Sequence, residues 1–446
     1  MIRARHWVLV GLVVVPAVSP LLADDWPQWL GPKRDSVWRE TGILQTFPAE
    51  GPKVLWRQKV AGGYAGPAVA AGRVYVADYL TSVDTRAASA PDKRPPIEGE
   101  ERILCFDAKT GERLWAHAYK CTYGISYPAG PRCTPTVHLG KVYALGAEGN
   151  LFCLDAANGD VHWSKDFKRD YKARTPTWGF CGHPLVDGKK LICVVGGEAG
   201  VVYAFDKDTG KELWHALSAR EPGYSPPTII EAGGTRQLLI WHAESLNSLN
   251  PESGESYWSV PLVPSFGMSI MAPRHSGDVL FAGGIGGISV LLKLAPDRPQ
   301  ATELWRGSMK TGASPVNSTP FLENGFMYAV DQPGALLGVN LENGIREWQT
   351  YRPVKGVDES RPVNSGTAFL VKNGDRFFLA SETGHLIIAR LSPKGYEEIS
   401  RWKMLEPMGI AIGREDRVLW SHPAFANRCV YARNDAELIC VSLAAE

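Results

Sequence analysis

The chain has 446 residues, with 48 basic and 47 acidic side chains, 44% hydrophobic and 21% charged residues. That composition belongs to a globular protein with room for one large all-β domain or several ordinary ones. So even a charge balance gives no field to hold nucleic acid or an anionic membrane surface, and no basic run with interleaved aromatics occurs.

Residues 1–23 read as a secretory signal peptide. Arg3 and Arg5 precede an apolar run from Trp7 to Val15, Pro16 and Pro20 follow, and Ala23 supplies a small residue for cleavage. The run is short for a membrane span, and no cysteine follows it that would carry a lipid. Removing it leaves 46 basic against 47 acidic residues. The expected location is therefore outside the cytoplasm: periplasm, cell envelope or extracellular space. Residues 24–51 form an N-terminal leader segment, and 52–446 a single domain.

That domain repeats one phrase. An acidic or amide residue is followed four positions later by glycine, and four after that by tryptophan. It occurs at Asp107/Gly111/Trp115, Asp155/Gly159/Trp163, Asp206/Gly210/Trp214, Asn250/Gly254/Trp258 and Asn340/Gly344/Trp348. Trp305 and Trp402 end degenerate copies, and Trp56 precedes the first complete one. From Trp56 to Trp402 the step averages about 49 residues, and a strand-filled period of this size signals a propeller. Each unit holds four β signals, as in "TPTVHL", "KVYALG", "NLFCLDA" and "VHW".

In this reading the acid caps the turn after a blade's third strand, and the glycine supplies a positive φ. The tryptophan packs the outermost strand on the next blade. After Trp402 three strands remain, and Val54–Val60 supplies the fourth. The expectation is an all-β, eight-bladed propeller of four-stranded antiparallel blades, closed by the N-terminal strand pairing with the C-terminal blade. A count of seven would need one degenerate copy to be an insertion.

Eight cysteines are present, with no CxxC, CxxCH or adjacent pair. Cys105, Cys153, Cys193 and Cys440 lie in apolar runs and read as small buried hydrophobes. Cys429 and Cys440 flank a tight turn and could face one another. No HxH, HExxH, GxSxG or phosphate-cradling loop is found, so no metal or catalytic residues are assigned.

The Asp-x-x-Thr-Gly-x-x-x-Trp repeats resemble those of the pyrroloquinoline quinone (PQQ) propellers. The leader and stretches such as "YSPPTIIEAGG" and "WSHPAFANR" resemble the exported PQQ-binding-like β-propeller repeat proteins. That group includes quinoprotein alcohol dehydrogenases, with PQQ and Ca2+ on the axis, and the propeller lipoprotein of the outer-membrane β-barrel assembly machinery, a docking scaffold. The chain lacks the vicinal cysteines common in the first and the lipidated cysteine of the second. The resemblance implies a binding or scaffold module of the cell envelope. Its alternative is a PQQ-dependent oxidoreductase of alcohols or sugars, or another enzyme with its site in the central mouth.

Propeller topology places fourth-to-first and second-to-third connections on one face, and here those connections are the long ones. The candidate ligand residues are Tyr127, Arg132, Trp178, His183, Tyr224, Ser225, Ser269, Arg274, Asn317, Asn364 and His422, with Met268 beside them. Around one axis they would offer stacking faces and hydrogen bonds to a saccharide, polyol, quinone or partner protein, with Arg132, Arg274, Asn317 and Asn364 foremost. Residues 79–101 read as a flexible flap, and Glu98, Glu100 and Glu101 as a solvated charge run.

Overall fold

The computed structural model describes residues 25–85, 89–356 and 361–445. The expected signal peptide lies outside the described residues. Eight four-stranded antiparallel sheets form the ring. The first seven blades span residues 68–123, 136–166, 185–216, 228–261, 274–307, 321–350 and 368–403. The eighth takes three strands from residues 424–442, and its outermost strand, Val54–Lys59, comes from the other end of the chain. Trp56 stands opposite Cys440 in that pairing. The helices that lie wholly within the described residues are two short pieces in mouth loops, α1 (Phe167–Tyr171) and α2 (Arg352–Lys355), and a 3-10 turn at Ser265–Gly267.

The repeated phrase does what its chemistry suggests, and more. Asp107 Oδ1 accepts the backbone N–H groups of Lys109 and Thr110 at 2.9 and 2.8 Å. Asp155 and Asp206 repeat the cap in their own turns. The indole N–H then reaches the next blade. Trp56 donates to Ala108 O, Trp115 to Ala156 O, Trp163 to Lys207 O, Trp305 to Leu341 O and Trp348 to Ser392 O, at 2.8–3.2 Å.

The turn glycine is the seat of the preceding blade's ring. A Cβ at Gly111, Gly159, Gly210 or Gly254 would lie 2.7–2.8 Å from Trp56, Trp115, Trp163 or Trp214. Trp258 departs from the pattern. The corresponding turn of the next blade, residues 295–300, has no glycine to seat it, and its N–H bonds Gln237 Oε1 within its own blade. Trp402 packs on Gly51 and Phe47 of the leader, so the last seat is also filled from the N-terminal side.

The structure corrects two expectations. The flap is shorter, because the strands Arg73–Leu80 and Ile97–Asp107 extend into it and Ile97–Asp107 pairs with Arg113–Tyr123. Glu101 is therefore no solvated charge. It is buried, accepts the Tyr119 hydroxyl at 2.7 Å and the Ala147 N–H at 3.0 Å, and burial raises its carboxyl above the usual range. Cys429 stands opposite Ser442 in the hairpin register, and Cys440, two residues along the same face, meets its thiol in a hydrogen bond, so these two cysteines do face one another; all eight cysteines are free thiols.

The leader is part of the core. Trp26, Trp29, Trp38 and Ile43 are buried. Trp26 pairs with Val69 through two backbone bonds, and Pro27 O accepts the N–H of Val137. Val37 bridges Lys372, and Trp38 packs on Phe378 and Phe425 at 5.3 and 5.1 Å. These partners lie in blades seven, eight, one and two, while Arg34 donates to the Pro184 and His183 carbonyls at the entry of blade three and Arg274 of blade five donates to the Arg34 and Asp35 carbonyls, so residues 25–38 cross the axis at the end away from the long loops.

Candidate functional site

Because the leader closes one end, the axis opens only at the long-loop face, into a cavity of about 530 Å3. Its floor is a leader residue. Trp29 stacks on His183 at 4.7 Å with planes 10° apart, and His422 meets its edge at 5.7 Å. Phe369 lies 3.7 Å from the His422 ring. Higher up, Trp178 meets Tyr224 edge-on at 5.8 Å, and Trp420 lies 5.8 Å from Tyr127. The Tyr127 hydroxyl accepts the N–H of Ile412 at 3.0 Å, tying a loop of the eighth blade's entry to one of the second's.

Of the sequence candidates, Tyr127, Arg132, Trp178, His183, Tyr224, Asn317, Asn364 and His422 line this cavity, with Met268. Three do not. Ser225 and Ser269 are buried, with hydroxyls given to Met271 O and Trp241 O at 2.8 and 2.9 Å. Arg274 points away from the mouth and clamps the leader, donating to Arg34 O and Asp35 O at 3.0 Å each. Its role is to hold the plug. Arg132 faces the cavity, but its guanidinium bonds the carbonyls of Gly130, Ser126 and Tyr127 and lies 5.1 Å over the Tyr64 ring. Asn317 donates its amide to Thr367 Oγ1.

The two floor imidazoles are neutral. His183 Nδ1 accepts the Thr134 N–H at 3.0 Å, which places its proton on Nε2. Burial, helped by Arg34 and His422, holds it well below the ordinary imidazole range. Burial pushes His422 down to about 3.

Sequence reasoning missed Trp29, Tyr64, Phe369 and Trp420, and it missed a second repeat. At or just past the mouth end of the second strand, a carboxylate accepts a backbone N–H from the loop entering the same blade. Asp78 takes Ala61, Glu148 takes Gly124, Asp331 takes Ser314 and Glu382 takes Thr367, at 2.6–3.0 Å. Each also faces a cation: Arg102, Lys168, Arg346 and Arg414 respectively, at 2.6–2.9 Å. Glu382 further accepts the indole N–H of Trp420 at 2.9 Å, and burial raises its carboxyl. The signal was legible in "VADYL", "GAEGN", "AVDQPG" and "ASETG". These pairs stiffen the loops that carry the mouth.

Among the described residues the lining holds no carboxylate, and its one guanidinium is engaged with loop carbonyls. A hard cation needs several oxygen ligands, and a multiply charged quinone needs cationic partners. The residues present therefore do not fit a PQQ–calcium pair. No cluster of three or more His, Cys, Asp or Glu suited to a metal occurs among the described residues.

A family model described as outer membrane protein assembly factor BamB matches residues 99–238 and 242–445. Proteins of that description from Yersinia pestis and Shewanella oneidensis are 26% and 25% identical over 203 and 229 residues, covering 43% and 49% of this chain. The chain spans 48% and 56% of their lengths, about half of the curated relatives it matches. Among solved structures, BamB from Moraxella catarrhalis is similar at TM-score 0.57 and 13% identity, over 87% of this chain and 97% of that one. Quinohemoprotein alcohol dehydrogenase from Comamonas testosteroni is similar at 0.58 and 13%, over 95% and 81%. At such identities the structural likeness is one of fold.

Proposed function

We propose, from the premise that the chain belongs to the outer membrane protein assembly factor BamB family, that it is an exported binding scaffold of the cell envelope which engages its partner at the mouth. One observation carries the reading. Around a cavity whose loops are fixed by buried ion pairs, the rim exposes Leu80, Val83, Val263, Phe266, Met309, Met408 and Ile412. Phe266 and Ile412 also line the cavity, and apolar side chains that run from an exposed rim into a pocket mark a binding surface. Met268 and Met271 continue this surface inward, and flexible thioethers adapt to partners of varied shape. No described helix is long and apolar enough to cross a membrane. The relatives' description as outer membrane protein assembly factors supports a partner of that kind.

A photo-activatable cross-linking residue at Phe266, 76% exposed on the rim, tests the reading against one at Leu139, 82% exposed on the opposite face. In envelope preparations the first should give discrete adducts and the second none. Equal labelling from both faces, or dye reduction with alcohols after adding PQQ and Ca2+, would overturn it.

A further inference from the structure

We propose that the floor of the mouth is a receptor for an uncharged aromatic ring carrying a hydrogen-bond acceptor such as a carbonyl. The inference rests on the mouth being the working face and names what enters it. Three observations combine.

The first is polarity. His183 Nε2–H is a fixed donor at the floor, because the other ring nitrogen is taken by Thr134. The His422 ring makes no hydrogen bond to any described residue, is half-buried, and packs between rings, Phe369 on one side and the edge of Trp29 on the other. Its nitrogens are unspent in a wall that is otherwise aromatic. Unspent polar atoms beneath an apolar funnel favour a ligand whose leading atom completes them.

The second is charge. No carboxylate among the described residues lines the cavity to neutralise a cation. For an anion, Arg132 is bound to loop carbonyls, and Arg34 below the floor donates to Pro184 O and His183 O. An ion entering here would lose its hydration without gaining a counter-charge, a cost that selects neutral ligands. The lowered basicity of both imidazoles agrees with this.

The third is shape and partner count. A cavity of about 530 Å3 walled by Trp178, Tyr224, Tyr127 and Trp420 accepts flat rings edge-on or offset-stacked. A saccharide carries hydroxyls on every edge and would leave most of them unpaired against such walls. The same ring chemistry has two sources, a free small molecule or a side chain on a peptide segment.

The test uses the mature full chain, isothermal calorimetry and saturation-transfer NMR. The probes are indole-3-acetamide, its anionic analogue indole-3-acetate and its cationic analogue tryptamine, which share one ring. The acetamide should bind one-to-one, and the charged analogues at least about ten-fold more weakly. His422→Leu removes ring nitrogens that hold no protein group, so the fold should persist with an unchanged Tm while acetamide affinity falls about ten-fold. The blocked peptide acetyl-Gly-Trp-Gly-amide separates the sources. It should match the acetamide, with its leucine counterpart silent, if the ring arrives on a peptide. It should fail while the acetamide binds if the ligand is small. Equal binding of all three charge states, no binding of acetamide or peptide below about 1 mM, or an unaffected His422→Leu variant would each overturn the inference. Cross-linking from Phe266 without indole binding would sink it and leave the proposed function standing. Loss of both would remove the two together.

Discussion

The glycine that ends each turn has two duties, and a pair of substitutions in one blade separates them. Gly159, between the third and fourth strands, has φ +80, and Gly140, between the first and second, has φ +77. Alanine at either position incurs the penalty of a left-handed residue, about 1–2 kcal/mol. At Gly140 nothing lies within 4 Å of the new Cβ. At Gly159 the new methyl would stand 2.7 Å from Trp115 Cε3 and 2.9 Å from Cδ2, so the indole must shift. That displacement adds the cost of overpacking, about 1–3 kcal/mol. It also endangers the Trp115 Nε1 bond to Ala156 O at 3.2 Å, a further contribution of about 1 kcal/mol. Gly140→Ala should therefore cost about 1–2 kcal/mol and Gly159→Ala about 3–6 kcal/mol, read from urea unfolding followed by circular dichroism. In a Trp115→Leu background the excess at Gly159 should vanish, because the ring that collides is gone. Equal costs at the two glycines in the parent chain would refute the argument that the turn is the seat of the neighbouring ring.

Three further outcomes follow from the same contacts. Arg274→Met removes two charge-assisted bonds to leader carbonyls and should cost about 3 kcal/mol and open residues 30–36 to limited proteolysis; an unchanged digestion pattern would count against the clamp. Glu382→Gln breaks a buried pair with Arg414 and should cost about 2–4 kcal/mol and speed hydrogen exchange in the loop after Leu405; unaltered exchange would deny the staple. His422 has a folded pKa of about 3, below its unfolded value near 6.5, so its contribution is intact above pH 6.5 and lost as pH falls toward 3, by up to about 1.4 kcal/mol per unit. Urea midpoints from pH 7 to 5 should therefore fall less steeply in His422→Leu than in the parent, and parallel curves would contradict a neutral imidazole.

The ring itself was legible because its phrase is local: cap, turn and indole lie within nine residues, and the periodicity counts the blades. The glycine's second duty was not, since its partner tryptophan belongs to another repeat about 44 residues away. The mouth was readable as a set of loops but not as a set of directions. Ser225 sits one residue from Tyr224, and Arg274 lies where the chain has already become strand, and alternation turns both away from the axis. Glu101 looked solvated because three acids within four residues resemble a charged surface, yet a strand runs through them and buries only the third. The leader defeated sequence reading most fully. Its hydrophobic residues follow no period, because it borrows partners from many blades instead of pairing along one.

That borrowing sets an order of events. The stretch from Trp26 to Trp38 leaves the ribosome before any blade, yet its resting place includes Val69, Val137, Lys372 and Phe425, the last of which is made near the end of synthesis. Earliest made, it is housed last, and three indoles await a berth throughout assembly. A chain arrested before Phe425 should hold that stretch unprotected and adhesive, so completion of the circle also conceals the most aggregation-prone part of the polypeptide.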